Sequence, residues 1–241
     1  MRFFAAQVFM LIYWPVGLVC VAAMSLVSSL LMERNERERL GQKTLSVSLG
    51  GFMSGLEVLG IIRVSDDDLR AHADTPGPLI IACNHPALWD APLVMRRIGR
   101  VICVMKADVQ LNPILRNGSS FAGFVPNAPR LRMIREAVKR LNDGGRLLLF
   151  PEGTRTRKEN GPINDFRPGL ALLAKQSGAP VLPVFITSDS PYLRKGWPLW
   201  RMPKFPISIS IRVGEPICIM PDERVRDFSE RLERRFRSEL G

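Results

Sequence analysis

No CxxC pair and no cysteine–histidine cluster occurs in the sequence. The usual zinc-binding spacings are therefore missing, and no metal site is expected. The four cysteines, Cys20, Cys83, Cys103 and Cys218, are far apart in apolar surroundings and read as free, small, buried hydrophobes. Histidine is scarce, with His72 and His85 the whole supply, which narrows any search for a general base. There is no internal repeat, no low-complexity tract and no nucleic-acid recognition module. The chain is nevertheless strongly basic: 34 Lys and Arg stand against 23 Asp and Glu, a net charge of +11. Such a balance favours anionic partners, whether nucleic acid, an acidic membrane surface or phosphate-bearing substrates, and composition alone does not choose among them. At 241 residues there is material for one well-packed domain and not comfortably for two.

Charge is missing altogether from Phe3 to Met32, a run of 30 residues. A membrane-spanning helix needs about 20, and a signal peptide has an apolar stretch of about 7–15. Residues 1–32 are therefore expected to be a membrane-embedded segment. Pro15 either kinks one long helix or separates a short interfacial piece from a longer one, so a single crossing and a re-entrant pair both stay open. Arg34, Arg37, Arg39 and Lys43 follow the run, against Arg2 before it. For a single crossing, this asymmetry places the carboxy-terminal part in the cytoplasm, at the cell inner membrane. Free cysteines agree with that placement.

Residues 33–50 read as a charged and polar connection, and 51–241 as the main domain. Gly51 to Gly60 has the pattern of a short helix leading to a strand at 61–64, and DDDLRAHADTPG that of a polar surface loop. Beyond it, strand-like runs at 79–83, 101–105, 146–150, 181–186 and 207–213 alternate with helical patterns at 88–98, 131–141, 169–176 and 222–240. This order predicts an α/β fold: a mostly parallel or mixed sheet flanked by helices. The 131–141 helix and its approach carry Arg130, Arg132, Arg135, Lys139 and Arg140. These residues are either a contact to anionic lipid, at about 1 kcal/mol each when close, or a solvated face. The segment 187–206, with Tyr192, Trp197, Trp200 and Phe205 among basic residues and prolines, reads as an interfacial anchor, a lid, a nucleic-acid surface or an ordinary packed loop.

The two histidines differ in setting. His72 lies in the polar loop with no apolar framework to hold it. His85 follows the strand LIIAC almost directly, in CNHPALWD, and Asp90 comes five residues later. The carboxyl end of a strand in an α/β sheet is where ligands and catalytic groups collect. Residues five apart on a regular helix are about 140° apart, so the pair meets only if a turn at Pro86 swings His85 back onto the first helical turn. Asp90 would then accept the proton of one imidazole nitrogen and leave the other free to take a proton from a substrate hydroxyl. A second loop, FPEGTRTR at 150–157, continues from the strand RLLLF. It offers a glycine for close approach and hydroxyl and guanidinium donors suited to phosphate.

NHPALWD resembles the NHxxxxD signature of the glycerolipid acyltransferase superfamily, typified by 1-acyl-glycerol-3-phosphate acyltransferases. FPEGTRTR is similar to a second signature of that family, and VLPVFI, with Pro183, to a third. The likeness spans roughly residues 51–220. It implies an O-acyl transfer in which His85 is the general base and Asp90 orients it. Glu152, Gly153, Thr154 and Arg155 would shape the acceptor site, with Arg155 as the phosphate contact. The implied substrates are a lysophospholipid acceptor and an acyl thioester donor, acyl-CoA or acyl carrier protein, with no cofactor and no metal. The implied setting is an anionic membrane surface, without nucleic acid. Relatives often carry a basic motif between the first two signatures. Here that stretch is GFVPNAPR, with Asn127 in the place of its arginine and Arg130 three residues on as a substitute. The departure leaves acceptors other than 1-acyl-glycerol-3-phosphate open, such as a lyso-ornithine lipid, beside a non-catalytic lipid-binding role.

Overall fold

The computed structural model describes residues 2–73, 75–198, 201 and 203–241. Helices α1 (Arg2–Leu31) and α2 (Arg34–Val58) form an antiparallel pair ahead of the sheet. The strands are β1 (Ile62–Ser65), β2 (Leu79–Cys83), β3 (Val101–Met105), β4 (Val125–Pro126), β5 (Arg146–Leu149), β6 (Val181–Ser188) and β7 (Ile207–Val213). Between and after them come α3 (Asp67–Ala71), α4 (Asp90–Met95), α5 (Ala107–Leu111), α6 (Pro113–Phe121), α7 (Arg130–Asn142), α8 (Gly169–Ser177) and α9 (Val225–Leu240). The seven strands lie in the order β1-β7-β6-β2-β5-β3-β4. All neighbours are parallel except β6 and β7. The expected mixed α/β sheet is the observed one.

The strand pleat sorts the core into two layers. Leu79, Ile81 and Cys83 of β2 face one way, onto Phe52, Met53 and Leu56 of α2 and Leu93, Val94 and Met95 of α4. Ile80 and Ala82 face the other way, onto Ile134 and Ala137 of α7, Leu170 and Ala174 of α8, and Phe228 and Phe236 of α9. A strand buried on both faces reads as a continuous apolar run, as LIIAC does. β7 shows the alternating burial of a strand covered on one face, and it lies one place in from the β1 edge.

Four expectations need correction. Residues 34–50 are not a connection but most of α2, a helix whose glycine- and serine-rich half has low intrinsic helix propensity. Packing supplies what propensity does not. Gly51 leaves space for Tyr13 of α1, where a Cβ would come within 2.7 Å of its hydroxyl, and that hydroxyl donates to the Ser48 carbonyl at 2.6 Å. The helix expected over 88–98 is the shorter α4, because 86–89 are taken up by the turn that precedes it. The polar segment at 66–77 is not all surface: Asp66 is buried and accepts hydrogen bonds from Arg96 and Arg97 at 2.7–3.0 Å, tying α3 to the end of α4. Finally, Cys83 and Cys103 are buried, whereas Cys20 and Cys218 are exposed. Cys218 lies between the inward-facing Ile217 and Ile219, so its own side chain points outward.

The basic face of α7 divides similarly. Arg132, Arg135 and Lys139 are exposed, while Arg140 turns inward to bond Glu136 and the buried Glu38 of α2. Beside this contact α2 meets α6 backbone to backbone, and Gly41 makes the approach possible: a Cβ there would lie 2.8 Å from the Ala122 nitrogen. Gly50 of the same helix has nothing nearer than 3.7 Å. Gly41→Ala should therefore lower stability by about 1–3 kcal/mol, as overpacking does. Gly50→Ala should raise it by roughly 0.5–1 kcal/mol through helix propensity. Unfolding midpoints in detergent would show the opposite signs, and a Gly41→Ala protein as stable as the parent would contradict this packing.

Candidate active site

Adjacent parallel strands β2 and β5 end on the same edge of the sheet, which places the loops after them side by side. Asn84, the first residue past β2, is buried and clamps the loop to β6: its Nδ2 donates to the Ile186 carbonyl at 2.8 Å and its Oδ1 accepts the Ile186 N–H at 2.7 Å. The chain then turns at Pro86, and α4 begins at Asp90. This turn closes the gap that a regular helix would leave. Asp90 Oδ2 lies 2.7 Å from His85 Nδ1 and accepts the Ala87 N–H at 2.8 Å. With Nδ1–H donated to the carboxylate, Nε2 carries the free lone pair. The ring stacks on Phe150, 4.0 Å between centroids, and lines a large cavity.

Glu152 is buried and is absent from the cavity wall. Its Oε1 accepts the His85 N–H at 2.8 Å, its Oε2 accepts the Asn164 N–H at 2.8 Å, and both oxygens receive Thr156 Oγ1. The His85 carbonyl in turn accepts the Thr156 N–H at 2.7 Å. The main chain of the histidine is thus gripped on both sides by the FPEGTRTR loop. The structure turns Glu152 away from the acceptor contact expected of it and makes it a support for His85. Gly153 has φ +66, and a Cβ there would meet Arg167 Nε at 2.8 Å, so the loop's tight turn requires glycine.

Burial raises the pKa of Asp90 above the ordinary carboxylate range, against the lowering effect of the His85 hydrogen bond. It does the same for Glu152, against the amides of Asn164 and His85 and the Thr156 hydroxyl. Both groups bind a proton more tightly folded than unfolded. Their contribution to stability therefore falls as pH rises from the unfolded carboxylate pKa through the raised folded one, and ionisation at neutral pH is a cost. Cys83, two residues before His85, is fully buried, and burial together with the Asp90 charge pushes its thiol well above the usual range. It is poorly placed to be a nucleophile.

The cavity measures about 1220 Å³ and its lining is of two kinds. Leu18, Val21, Leu45, Leu49, Met95 and Phe124 give it an apolar wall supplied largely by α1 and α2. Thr154, Arg155, Lys106, Lys195, Arg130 and Arg167 add polar and basic side chains to the wall that also holds His85. Arg130 and Asn127 line the same cavity. The Asn127 Oδ1 accepts the Ala107 N–H at 3.1 Å, a capping duty rather than a charge contact. His72 lies at the end of α3, and neither it nor Glu152 enters the cavity. Sequence reasoning missed Asn84, Thr156 and Asn164, which act through hydrogen bonds over long chain separations. It also missed Lys106 and Lys195, whose local sequence carries no signal. The aromatic segment packs inward at the rim: Tyr192 meets Trp89 edge-on at 5.5 Å, and Trp200 lies outside the described residues.

Residues 62–187 match the Acyltransferase family model. The chain is 32% identical over 138 residues to a 1-acyl-sn-glycerol-3-phosphate acyltransferase of Limnanthes douglasii, covering 54% of this chain and 47% of that one. It is 26% identical over 145 residues to the enzyme of that name from Pseudomonas aeruginosa, covering 57% and 53%. The chain thus spans about half the length of the curated relatives it matches. Among solved structures it resembles the 1-acyl-sn-glycerophosphate (LPA) acyltransferase of Thermotoga maritima. That likeness covers 100% of this chain and 96% of the other, with TM-score 0.68 at 21% identity, and it is one of fold.

Asp90→Asn tests the geometry of the pair. One atom, Oδ2, serves both His85 Nδ1 and the Ala87 N–H, so an asparagine that puts its oxygen there keeps both hydrogen bonds but removes the negative charge that stabilises the imidazolium. Activity should fall by about 10²–10⁴-fold. The melting temperature should be equal or higher at pH 7–8, because the buried charge is gone, and this advantage should shrink as pH falls toward the raised Asp90 pKa. A variant within a few-fold of parent activity would contradict the assignment.

Proposed function

The chain belongs to the acyltransferase family, and on that premise we propose that it transfers a fatty acyl group from an acyl thioester to the hydroxyl of a lysophospholipid. The acceptor of this reading is 1-acyl-glycerol-3-phosphate and the product phosphatidic acid. Acyl-CoA or acyl carrier protein is the donor. The carrying observation is the His85–Asp90 pair, set at the junction between an apolar cavity and a cationic rim.

The chemistry follows from which ring nitrogen is free. Nε2 takes the proton of the acceptor hydroxyl as its oxygen attacks the thioester carbonyl. The tetrahedral intermediate collapses, the C–S bond breaks, and the imidazolium returns its proton to the leaving thiolate. Asp90 holds the imidazole in the productive tautomer and stabilises its charged form. Glu152 fixes the backbone from which the ring projects. Thr154, Arg155 and Arg130 border the space for the acceptor's phosphate. The cavity exceeds the about 300–1,000 Å³ usual for small-ligand sites, in keeping with long acyl chains.

The apolar wall explains the membrane. α1 is long and apolar enough to cross a bilayer, and only 6% of its most apolar window is buried. Phe4, Leu11, Val19, Leu26 and Leu30 are among its exposed side chains. Yet α1 is paired along its length with α2, whose Arg34, Arg37, Arg39 and Lys43 flank its second half. A perpendicular crossing would carry these charges into hydrocarbon at a cost of about 2.5–3.5 kcal/mol each near the centre. A helix pair embedded from one side avoids that cost, opens the cavity to lipid, and leaves the catalytic domain on the cytoplasmic face of the inner membrane.

Purified full-length protein in detergent micelles should form phosphatidic acid from 1-acyl-glycerol-3-phosphate and acyl thioester. His85→Ala should remove about 10²–10⁴-fold of that rate. Transfer solely to another lyso-lipid, such as a lyso-ornithine lipid, would replace the acceptor in this reading. Thioester consumption unaffected by His85→Ala would overturn it.

A further inference from the structure

The sheet carries a second cavity at its opposite edge. The catalytic cavity is lined by residues that follow the strands: His85 after β2, Lys106 after β3 and Phe150 after β5. The second, of about 580 Å³, is lined by residues that precede or begin the same strands: Gly77 before β2, Arg100 before β3 and Arg146 at the start of β5. The first part of α2 and the end of α7 complete its wall. Its charged lining is Arg39, Arg100, Arg140 and Arg146 against Glu38 and Asp143. Arg34 and Arg140 both bond Glu38, so that carboxylate is already answered. Arg146 is oriented by the Ala73 and Thr75 carbonyls. The side chains of Arg39 and Arg100 have no ion-pair partner among the described residues. Arg100 also has φ +56, a left-handed conformation that residues other than glycine adopt rarely, and then often at ligand sites.

We propose that this cleft is a lipid site separate from the catalytic cavity, in which Arg39 and Arg100 hold the phosphate of an anionic phospholipid of the surrounding leaflet. Cations gathered without compensation in a cleft raise its potential for an anion. The guanidinium fork fits a phosphate through two parallel hydrogen bonds. Position indicates which phosphate. Leu30 and Leu31, at the end of α1, are each 78% exposed, and Met32 follows in the turn to α2. Asn35 and Arg39 of the cleft lie within the next two helical turns. An acyl chain laid along the exposed end of α1 therefore brings its headgroup to the cleft. Ala22 of α1 lines the catalytic cavity, nine residues before Leu31 and about 14 Å away along the helix. The two cavities thus meet α1 at different points. Asn35 and Asp143 add oxygen acceptors to the wall, which suits a headgroup that carries hydroxyls. The site does not depend on the acyl-transfer reading and requires only that α1 lie in the membrane.

The melting temperature of full-length protein in neutral-detergent micelles tests the assignment. Doping the micelles with phosphatidylglycerol should raise the midpoint of the parent by several degrees, more than the same content of phosphatidylcholine does. Arg39→Ala should show a smaller rise, and Arg39→Ala combined with Arg100→Gly should show none beyond that of phosphatidylcholine. Alanine favours an exposed helix position and glycine relieves a left-handed one, so the double variant should melt no lower than the parent in plain detergent. Its acyl-transfer rate there should match the parent's, since neither residue lines the catalytic cavity. No added rise in the parent, or an equal rise in the double variant, would overturn the proposal. A rise just as large with inorganic phosphate, at equal concentration and ionic strength, would overturn the lipid assignment and make the cleft a site for free phosphate.

Discussion

His85 is held between two buried carboxylates, and the rest of the site depends on that grip. Asp90 accepts the hydrogen bond of the ring Nδ1–H and Glu152 that of the main-chain N–H. One sets the tautomer and the other sets the position from which the ring projects. Neither carboxylate is cheap to bury. Each is tolerated because it accepts several hydrogen bonds with good geometry, which is the condition under which buried charge persists. The fold supplies those donors by laying β2 beside β5, so that each loop furnishes what the other lacks. Asn84 extends the arrangement to β6 and fixes a third strand in the same register.

The same geometry explains why one cavity has two characters. Its polar end is made at the carboxyl edge of the sheet, where loops from β2, β3 and β5 converge. Its apolar end is made by α1 and α2, elements outside the sheet. α1 therefore has one side on the catalytic cavity and another exposed along most of its length. On the proposed function, an acyl chain would enter beside this helix, whose Leu18 and Val21 line the cavity that also holds His85. Membrane attachment and substrate access, as proposed, would then be two consequences of a single helix.

Much of this was legible in residue order. LIIAC and RLLLF are apolar on both faces, so they read as central parallel strands, and both lead straight into polar motifs. The His85–Asp90 meeting was legible because Pro86 offers the turn that a five-residue spacing needs. Glu152 was misplaced because a conspicuous acid in a glycine-containing loop reads as a ligand contact. Its true partners, the amides of His85 and Asn164, are ordinary backbone groups with no sequence signature. The end of α2 reads as a helix from Gly51 on, but 34–50 reads as a connection, because charge, serine and glycine there carry no apolar helical stripe and only the packing against α1 and α6 holds that stretch. Lys106 and Lys195 were invisible for a related reason: 89 residues separate them, and only the sheet's topology brings their loops to one rim.

The central claim is that His85 activates the acceptor directly, without an acyl-enzyme intermediate. Mixing purified protein with a radiolabelled acyl thioester in the absence of acceptor tests it most directly. Direct transfer gives no stoichiometric burst of free thiol and no label retained on denatured protein, with thiol release beginning when lyso-lipid is added. A burst of one thiol per protein, with the label recovered on Cys83 or any other side chain, would contradict it.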